Sequence, residues 1–153
     1  MRTDDQPDVI AYHEAEIVRL ADACRQTGHE LLFEIITGNR DKSAAPSQVL
    51  ALMQRFYDLG VAPDWWKLEP VDDGGFWTGA GDIFRANDPH VQGIIVLGKE
   101  MPDEQLGRVL GVARAEPLVR GFAIGRTIFS EAAQQWFADK IDDQTAQDMM
   151  WAV

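Results

Sequence analysis

The sequence predicts an α/β fold in which parallel strands alternate with helices, and three observations predict it. Short apolar runs recur along the chain at a spacing of roughly 30 residues, a length that holds one strand and one crossover helix. Each run is followed by a segment whose apolar residues return with helical period. The runs are apolar on both faces, as strands of a parallel sheet covered by helices would be.

The chain opens on a predicted amphipathic helix over residues 9–27, where Ile10, Ile17, Leu20, Ala21 and Cys24 fall at helical spacing and Gly28 supplies the stop. Residues 31–37 form a compact apolar run broken by Glu34 and bounded by Gly38-Asn39, a buried strand. A helix over 47–59 is opened near Pro46 and closed by Gly60. The strand 65–69 follows, then a helix over 75–85 that tolerates its glycines, and an apolar strand over 93–97. Asp103 near the start of a helix over 103–113 is a good N-terminal residue, and the last strand spans 119–124. Helical segments at 130–140 and 143–151 finish the chain.

Two architectures satisfy this order: an open doubly wound sheet and one half of an eight-stranded (β/α)8 TIM barrel. No Gly-x-Gly-x-x-Gly follows the first strand, which argues against the dinucleotide-binding version of the former. The last strand puts the small residues Gly121, Ala123 and Gly125 on one face and Phe122 and Ile124 on the other, which suits a crowded barrel axis or a ligand close to the backbone.

A chain of 153 residues with 46% apolar content is the size of one domain with a sizeable core. Its formal charge of -11, from 25 acidic against 14 basic residues with no basic run, repels nucleic acid. Cys24 is the single cysteine, so no intrachain disulfide framework exists and a reducing cytosol is the expected setting. The sequence has no apolar stretch of transmembrane length, and no apolar signal core follows Met1-Arg2-Thr3-Asp4-Asp5. The expectation is a soluble, cytoplasmic protein with neither nucleic acid nor membrane as partner.

Lys67, within Trp65-Trp66-Lys67-Leu68-Glu69-Pro70, puts an amine inside a short apolar strand, where burial normally forbids one. Side chains alternate along a strand, so Lys67, Glu69 and Trp65 share one face while Trp66 and Leu68 point to the other. A lysine beside a carboxylate in such a place is a candidate Schiff-base nucleophile with a proton-handling neighbour, or a barrel-interior lysine neutralised by a glutamate. Glu34 in the first strand and Arg126 just after the fourth add two more charged groups at strand positions. In a parallel barrel the strand C-termini converge on the face that holds active sites, and the loops after the last two strands commonly hold phosphate. Gly98 and Gly125 would there offer backbone N–H groups and Arg126 a charged fork. The plainer alternative is that Arg126 pairs with an acidic loop residue and the glycines only permit turns.

His13, His29 and His90 lack metal-ligand spacing, so no metal site and no cofactor are expected. No nucleophile elbow supports a Ser-His-Asp triad. The five tryptophans are expected to pack the core and the helices, with Trp65 on the face of Lys67 as the exception. Asp72-Asp73 and Asp142-Asp143 read as solvated loops or helix N-termini.

Four segments resemble a known family: Leu31-Leu32-Phe33-Glu34-Ile35-Ile36, the Trp65 to Pro70 run, His90-Val91-Gln92-Gly93-Ile94-Ile95-Val96-Leu97-Gly98, and Gly121-Phe122-Ala123-Ile124-Gly125-Arg126-Thr127-Ile128-Phe129. They look like the 2-deoxy-5-keto-gluconate 6-phosphate aldolase domain that is fused behind the sugar kinase 5-dehydro-2-deoxygluconokinase in bacterial myo-inositol catabolism. More distantly, Glu34, Lys67-Leu68-Glu69 and Gly125-Arg126 are similar to the pattern of tagatose 1,6-bisphosphate aldolase, a Schiff-base barrel enzyme. The resemblance implies a lyase in which Lys67 forms the imine, Glu34 or Glu69 moves the proton, and Gly98, Gly125 and Arg126 hold the phosphate of a keto-sugar acid. It also implies that residues 1–153 correspond to the second half of the barrel, helix four through helix eight with strands five to eight. The partner is then an N-terminal half-barrel or a second copy, with a fused or associated sugar kinase as a further partner. A non-catalytic phosphosugar-binding or assembly module attached to such a kinase is the rival expectation.

Overall fold

A computed structural model describes residues 6–36, 46–99 and 101–152. Helix α1 (Pro7–Thr27) leads into strand β1 (Leu32–Glu34), and three helix–strand pairs follow: α2 (Pro46–Asp58) with β2 (Trp65–Leu68), α3 (Gly74–Asn87) with β3 (Gly93–Leu97), and α4 (Asp103–Ala113) with β4 (Val119–Ala123). Helices α5 (Arg126–Phe137) and α6 (Asp143–Trp151) complete the chain. The four strands form one sheet in the order β1-β2-β3-β4, and every pairing is parallel. Each strand therefore lies beside its sequence neighbour, joined by a crossover helix, as the alternating pattern requires.

One face of this sheet carries the core. Trp66, Leu68, Ile94 and Val96 are fully buried there, together with Met53 of α2 and Ala80 and Phe84 of α3. An aromatic cluster joins the layers: the Phe33 ring meets Phe56 and Trp66 edge-on, and Trp66 lies against Tyr57 and Phe84. The Trp66 indole N–H donates to the Tyr57 hydroxyl at 3.0 Å, so the deepest polar tip in the cluster has a partner. Burial pushes the Tyr57 hydroxyl well above the ordinary phenol range.

The opposite face is open. Leu32, Trp65, Ile95, Leu97 and Ala123 all retain solvent exposure, and Leu32 is 47% exposed. The strands are thus covered on one side rather than on both as their apolar runs suggest, and the residues that read as doubly buried are those of β2 and β3 on the helix side. Phe122 is 60% exposed although it aligns with buried Val96, because β4 is an edge strand.

Backbone chemistry explains the local boundaries. Gly28 adopts φ 68 and its N–H reaches Cys24 O, an αL stop to α1. Gly93 has φ 151, and a Cβ there would lie 2.6 Å from Leu118 O and 2.4 Å from the Arg120 side chain, so only glycine fits where β3 crosses to β4. The register between those strands slips at Ile94/Ile95, next to this contact. Asp73 caps α3 by accepting from Gly75 N, and Asp142 caps α6 by accepting from Thr145 N at 2.8 Å.

Several expected boundaries shift. The strand expected over 31–37 pairs only through Leu32–Glu34, and Thr37 lies outside the described residues. The helix expected from 130 begins at Arg126, two residues after β4 ends, so Gly125 is its N-cap residue and Arg126 lies in its first turn. Its C-terminus, at Phe137, falls short of the expected Lys140. Two of the tryptophans read as packing groups are exposed: Trp136 at the end of α5 and Trp151 at the end of α6.

Candidate active site

Parallel pairing sets the site. Glu34 of β1 is the register partner of Lys67 in β2, Lys67 of Ile95 in β3, and Ile95 of Gly121 in β4. These four positions make one row across the open face, because residues in register point the same way. Lys67 Nζ lies 3.1 Å from Glu34 Oε1, with the lysine side chain 24% and the glutamate side chain 35% exposed. The amine is sheltered but reachable. Its neighbours in the row, Ile95 and Gly121, are non-ionisable, and Gly121 leaves the space beside it clear, since a Cβ there would meet nothing within 4 Å.

A second amine–carboxylate pair lies one strand further along. Glu69, one residue past β2, is buried, and its Oε1 is 2.5 Å from Nζ of Lys99. Lys99 follows β3 and adopts φ 52, a left-handed backbone that costs a non-glycine residue on the order of 1 kcal/mol. The turn around it is closed by Met101 N donating to Gly98 O at 3.1 Å. Strain of this kind persists only where surrounding contacts hold it, and the charge pair with Glu69 is one such contact.

Gly98 and Gly125-Arg126 stand at the C-terminal ends of β3 and β4, the same edge of the sheet as Glu69 and Lys99. The Gly98 N–H donates to Ala123 O at 3.1 Å, so this amide is engaged within the fold. A Cβ on Gly98 would come 3.1 Å from Ile124, which gives that glycine a packing reason of its own. Gly125 is the N-cap residue of α5 and has no side chain with which to cap it, and exposed Arg126 opens the helix at the sheet edge.

The structure thus brings Lys67 together with Glu34, and Glu69 together with Lys99. Strand alternation alone suggested Glu69 as the lysine's neighbour, whereas the carboxylate at bonding distance is the cross-strand Glu34. The sequence-predicted site residues include Gly98 in the turn after β3 but not Lys99 beside it. The signal that could have found it is a cation directly after the glycine ending an apolar strand, beside a strand that ends in a carboxylate. Among the described residues no group of three or more His, Cys, Asp or Glu is placed to hold a metal ion. Among the same residues, no helix is long and apolar enough to cross a membrane.

A family model, DUF2090, described as an uncharacterized protein conserved in bacteria, matches residues 1–152. No curated protein matches the chain.

Proposed function

The chain belongs to the DUF2090 family, and from that premise and the site geometry we propose that it is the lysine-bearing half of a Schiff-base aldolase. The observation that carries this reading is the Lys67–Glu34 pair, an amine 3.1 Å from a carboxylate on the open face of a parallel sheet. Nucleophilic lysines need this combination: a sheltered amine, a group to exchange its proton, and room for a carbonyl beside it.

The substrate suggested by the resemblance is 2-deoxy-5-keto-gluconate 6-phosphate. Lys67 Nζ adds to its C5 ketone, and loss of water from the carbinolamine leaves an iminium. A carboxylate of the same face, Glu34 or Glu69, takes the proton of the C3 hydroxyl. The C3–C4 bond then breaks with its electron pair drawn into the iminium, releasing malonate semialdehyde and leaving the enamine of dihydroxyacetone phosphate. Protonation at C4 and addition of water to the resulting iminium free the second product and return the amine. Arg126, with the N-terminal end of α5, is the proposed phosphate contact.

The sheet corresponds, on this reading, to strands five to eight of a (β/α)8 barrel. An all-parallel order β1-β2-β3-β4, helices on one face and charged groups at the C-terminal edge support it. A second four-stranded half, from another segment or another copy, would close over the open face. That openness also favours the second reading, a phosphosugar-binding assembly module without catalysis.

Borohydride reduction in the presence of dihydroxyacetone phosphate separates the two. The aldolase reading expects a stable adduct on the peptide carrying Lys67, located by mass spectrometry. Binding of the phosphate compound with no reducible adduct on Lys67 overturns it in favour of the assembly module.

A further inference from the structure

We propose that the groove between α5 and α6 docks a basic amphipathic helix of a partner protein. The proposal is independent of the role given to Lys67. α5 packs chiefly against α6, and Ala132 and Ala146 are buried there, outside the cluster that forms the main core. Small residues let two helices approach closely, and the larger side chains beside them then stand up as walls. The result is a groove of about 260 Å³, lined by Ala133 and Trp136 from α5 and by Asp143, Ala146, Gln147 and Met150 from α6. The four residues of α6 fall at i, i+3, i+4 and i+7, so they form one stripe of that helix.

Exposure, size and charge select the occupant. Trp136 in the groove wall is exposed, and so are its sequence neighbour Phe137, by 79%, and Trp151 next to Met150, by 86%. The wall is fixed in place: the Trp136 indole N–H donates to Asp143 Oδ1 at 2.7 Å, and the Trp136 and Phe137 rings meet edge-on with centroids 4.9 Å apart. Exposed aromatics that are already ordered make good interface anchors, because binding them freezes little further freedom. The groove is smaller than the roughly 300–1,000 Å³ of sites that enclose a small molecule, and it opens to solvent, so it suits a row of side chains presented by a helix. Its surroundings are acidic, with Asp139, Asp142, Asp143 and Asp148 against Lys140 over residues 139–152. Lysine and arginine flanking the apolar stripe of an incoming helix complement that charge, whereas a second copy, itself at -11, and an anionic membrane are repelled.

The test titrates the full chain into two fluorescent synthetic peptides, one of leucine and lysine at helical period and one with glutamate in place of lysine, and reads anisotropy. The leucine–lysine peptide should bind about tenfold or more tighter than its acidic counterpart, and its binding should weaken as salt is added. Trp136→Ala should weaken it by about tenfold or more, the effect of losing an aromatic anchor. That change also removes packing between the helices, so Gln147→Arg decides, because it puts a cation into the groove at an exposed position. It should weaken the peptide about tenfold, while Leu32→Lys, which adds the same charge on the open sheet face, should change it by less than about twofold. Equal losses in Gln147→Arg and Leu32→Lys would reduce the binding to net charge and overturn the proposal, as would preference for the leucine–glutamate peptide. Phosphatidylcholine vesicles that bind the parent but not Gln147→Arg would assign the groove to a lipid surface. A particle mass, measured without peptide, that Gln147→Arg lowers would assign it to a second copy. Either result overturns the proposal.

Discussion

Glu34 and Lys67 are joined twice, once as backbone register partners between β1 and β2 and once through side chains 3.1 Å apart. The ladder fixes the two Cα atoms, so the ion pair is held by main-chain hydrogen bonding rather than by the flexible side chains alone.

Lys67→Ala should abolish imine trapping while leaving the fold in place. Both members of the pair are partly exposed, and such pairs contribute on the order of 1 kcal/mol or less. Lys67→Arg should fail equally in trapping, because a guanidinium stays charged and cannot act as the nucleophile. Urea unfolding and borohydride labelling, run side by side, check both statements, and a trapped adduct in either variant would refute the role given to Lys67.

Trp66→Ala should cost about 3–5 kcal/mol, the range for removing a large aromatic from a core. The indole is fully buried and touches Phe33, Tyr57 and Phe84 across three elements. Trp66→Phe separates packing from bonding: it keeps an aromatic ring but withdraws the N–H that donates to the Tyr57 hydroxyl. That second loss should be roughly 1–3 kcal/mol, since a buried hydroxyl forfeits a donor. Denaturant titrations of the two variants give the comparison.

How much of the fold and the site is legible in the sequence depends on whether a residue's partner is near in sequence. β3 and α4 match their expected bounds, Gly93–Leu97 and Asp103–Ala113, because an apolar run and an acidic helix start are local signals. β1 is shorter than its apolar run, since Ile35 is buried by packing but lies past the strand. α5 begins four residues before the expected 130, because Gly125-Arg126 has the composition of a loop although Arg126 opens the helix. Lys67, Glu34 and Glu69 were visible as charges in apolar strands. Which carboxylate meets which amine was not, because that depends on inter-strand register and on the backbone of Lys99.

Arg126→Ala should weaken a phosphorylated ligand more than its dephosphorylated analogue. A charge-assisted hydrogen bond to phosphate contributes roughly 1.5–3 kcal/mol, about ten- to a hundredfold in affinity, and the low end applies to an exposed side chain. Isothermal titration with dihydroxyacetone phosphate and dihydroxyacetone makes the comparison, which cancels general damage to the fold. Equal losses for both ligands would make Arg126 a structural residue at the start of α5.

The N-terminus of α6 should weaken in acid. The Thr145 hydroxyl, and then the Thr145 N–H, hold the Asp142 carboxyl below its ordinary value of 3.8. A carboxylate whose folded value is depressed stabilises the fold above its unfolded value and ceases to do so as pH falls through the folded one. The contribution is therefore complete above about pH 5 and fades as pH drops below 3.8. Asp142→Ala should lose it at neutral pH and flatten this part of the acid titration. Amide protection factors in the first turn of α6, which take out the intrinsic pH dependence of exchange, should fall from pH 6 to pH 3 in the parent and not in the variant.

The open sheet face should drive association. Leu32, 47% exposed, pairs with Trp65 on the face that also holds Ile95 and Leu97, and among the described residues β1 and β4 are the edge strands at its two sides. Two copies related by a twofold axis along the strands would set β4 of each against β1 of the other, parallel in both places, and close an eight-stranded ring around two Lys67–Glu34 pairs. The high acidic charge of -11 on each copy opposes this, so association should strengthen with salt as repulsion is screened. Light scattering at low micromolar concentration, with and without added salt, should show a mass above that of one chain. Leu32→Lys, which puts a charge on the face at the β1 edge, should return the protein to one chain per particle. A monomer at every salt concentration that binds no dye for exposed apolar surface would contradict the half-barrel and leave a self-contained open sheet.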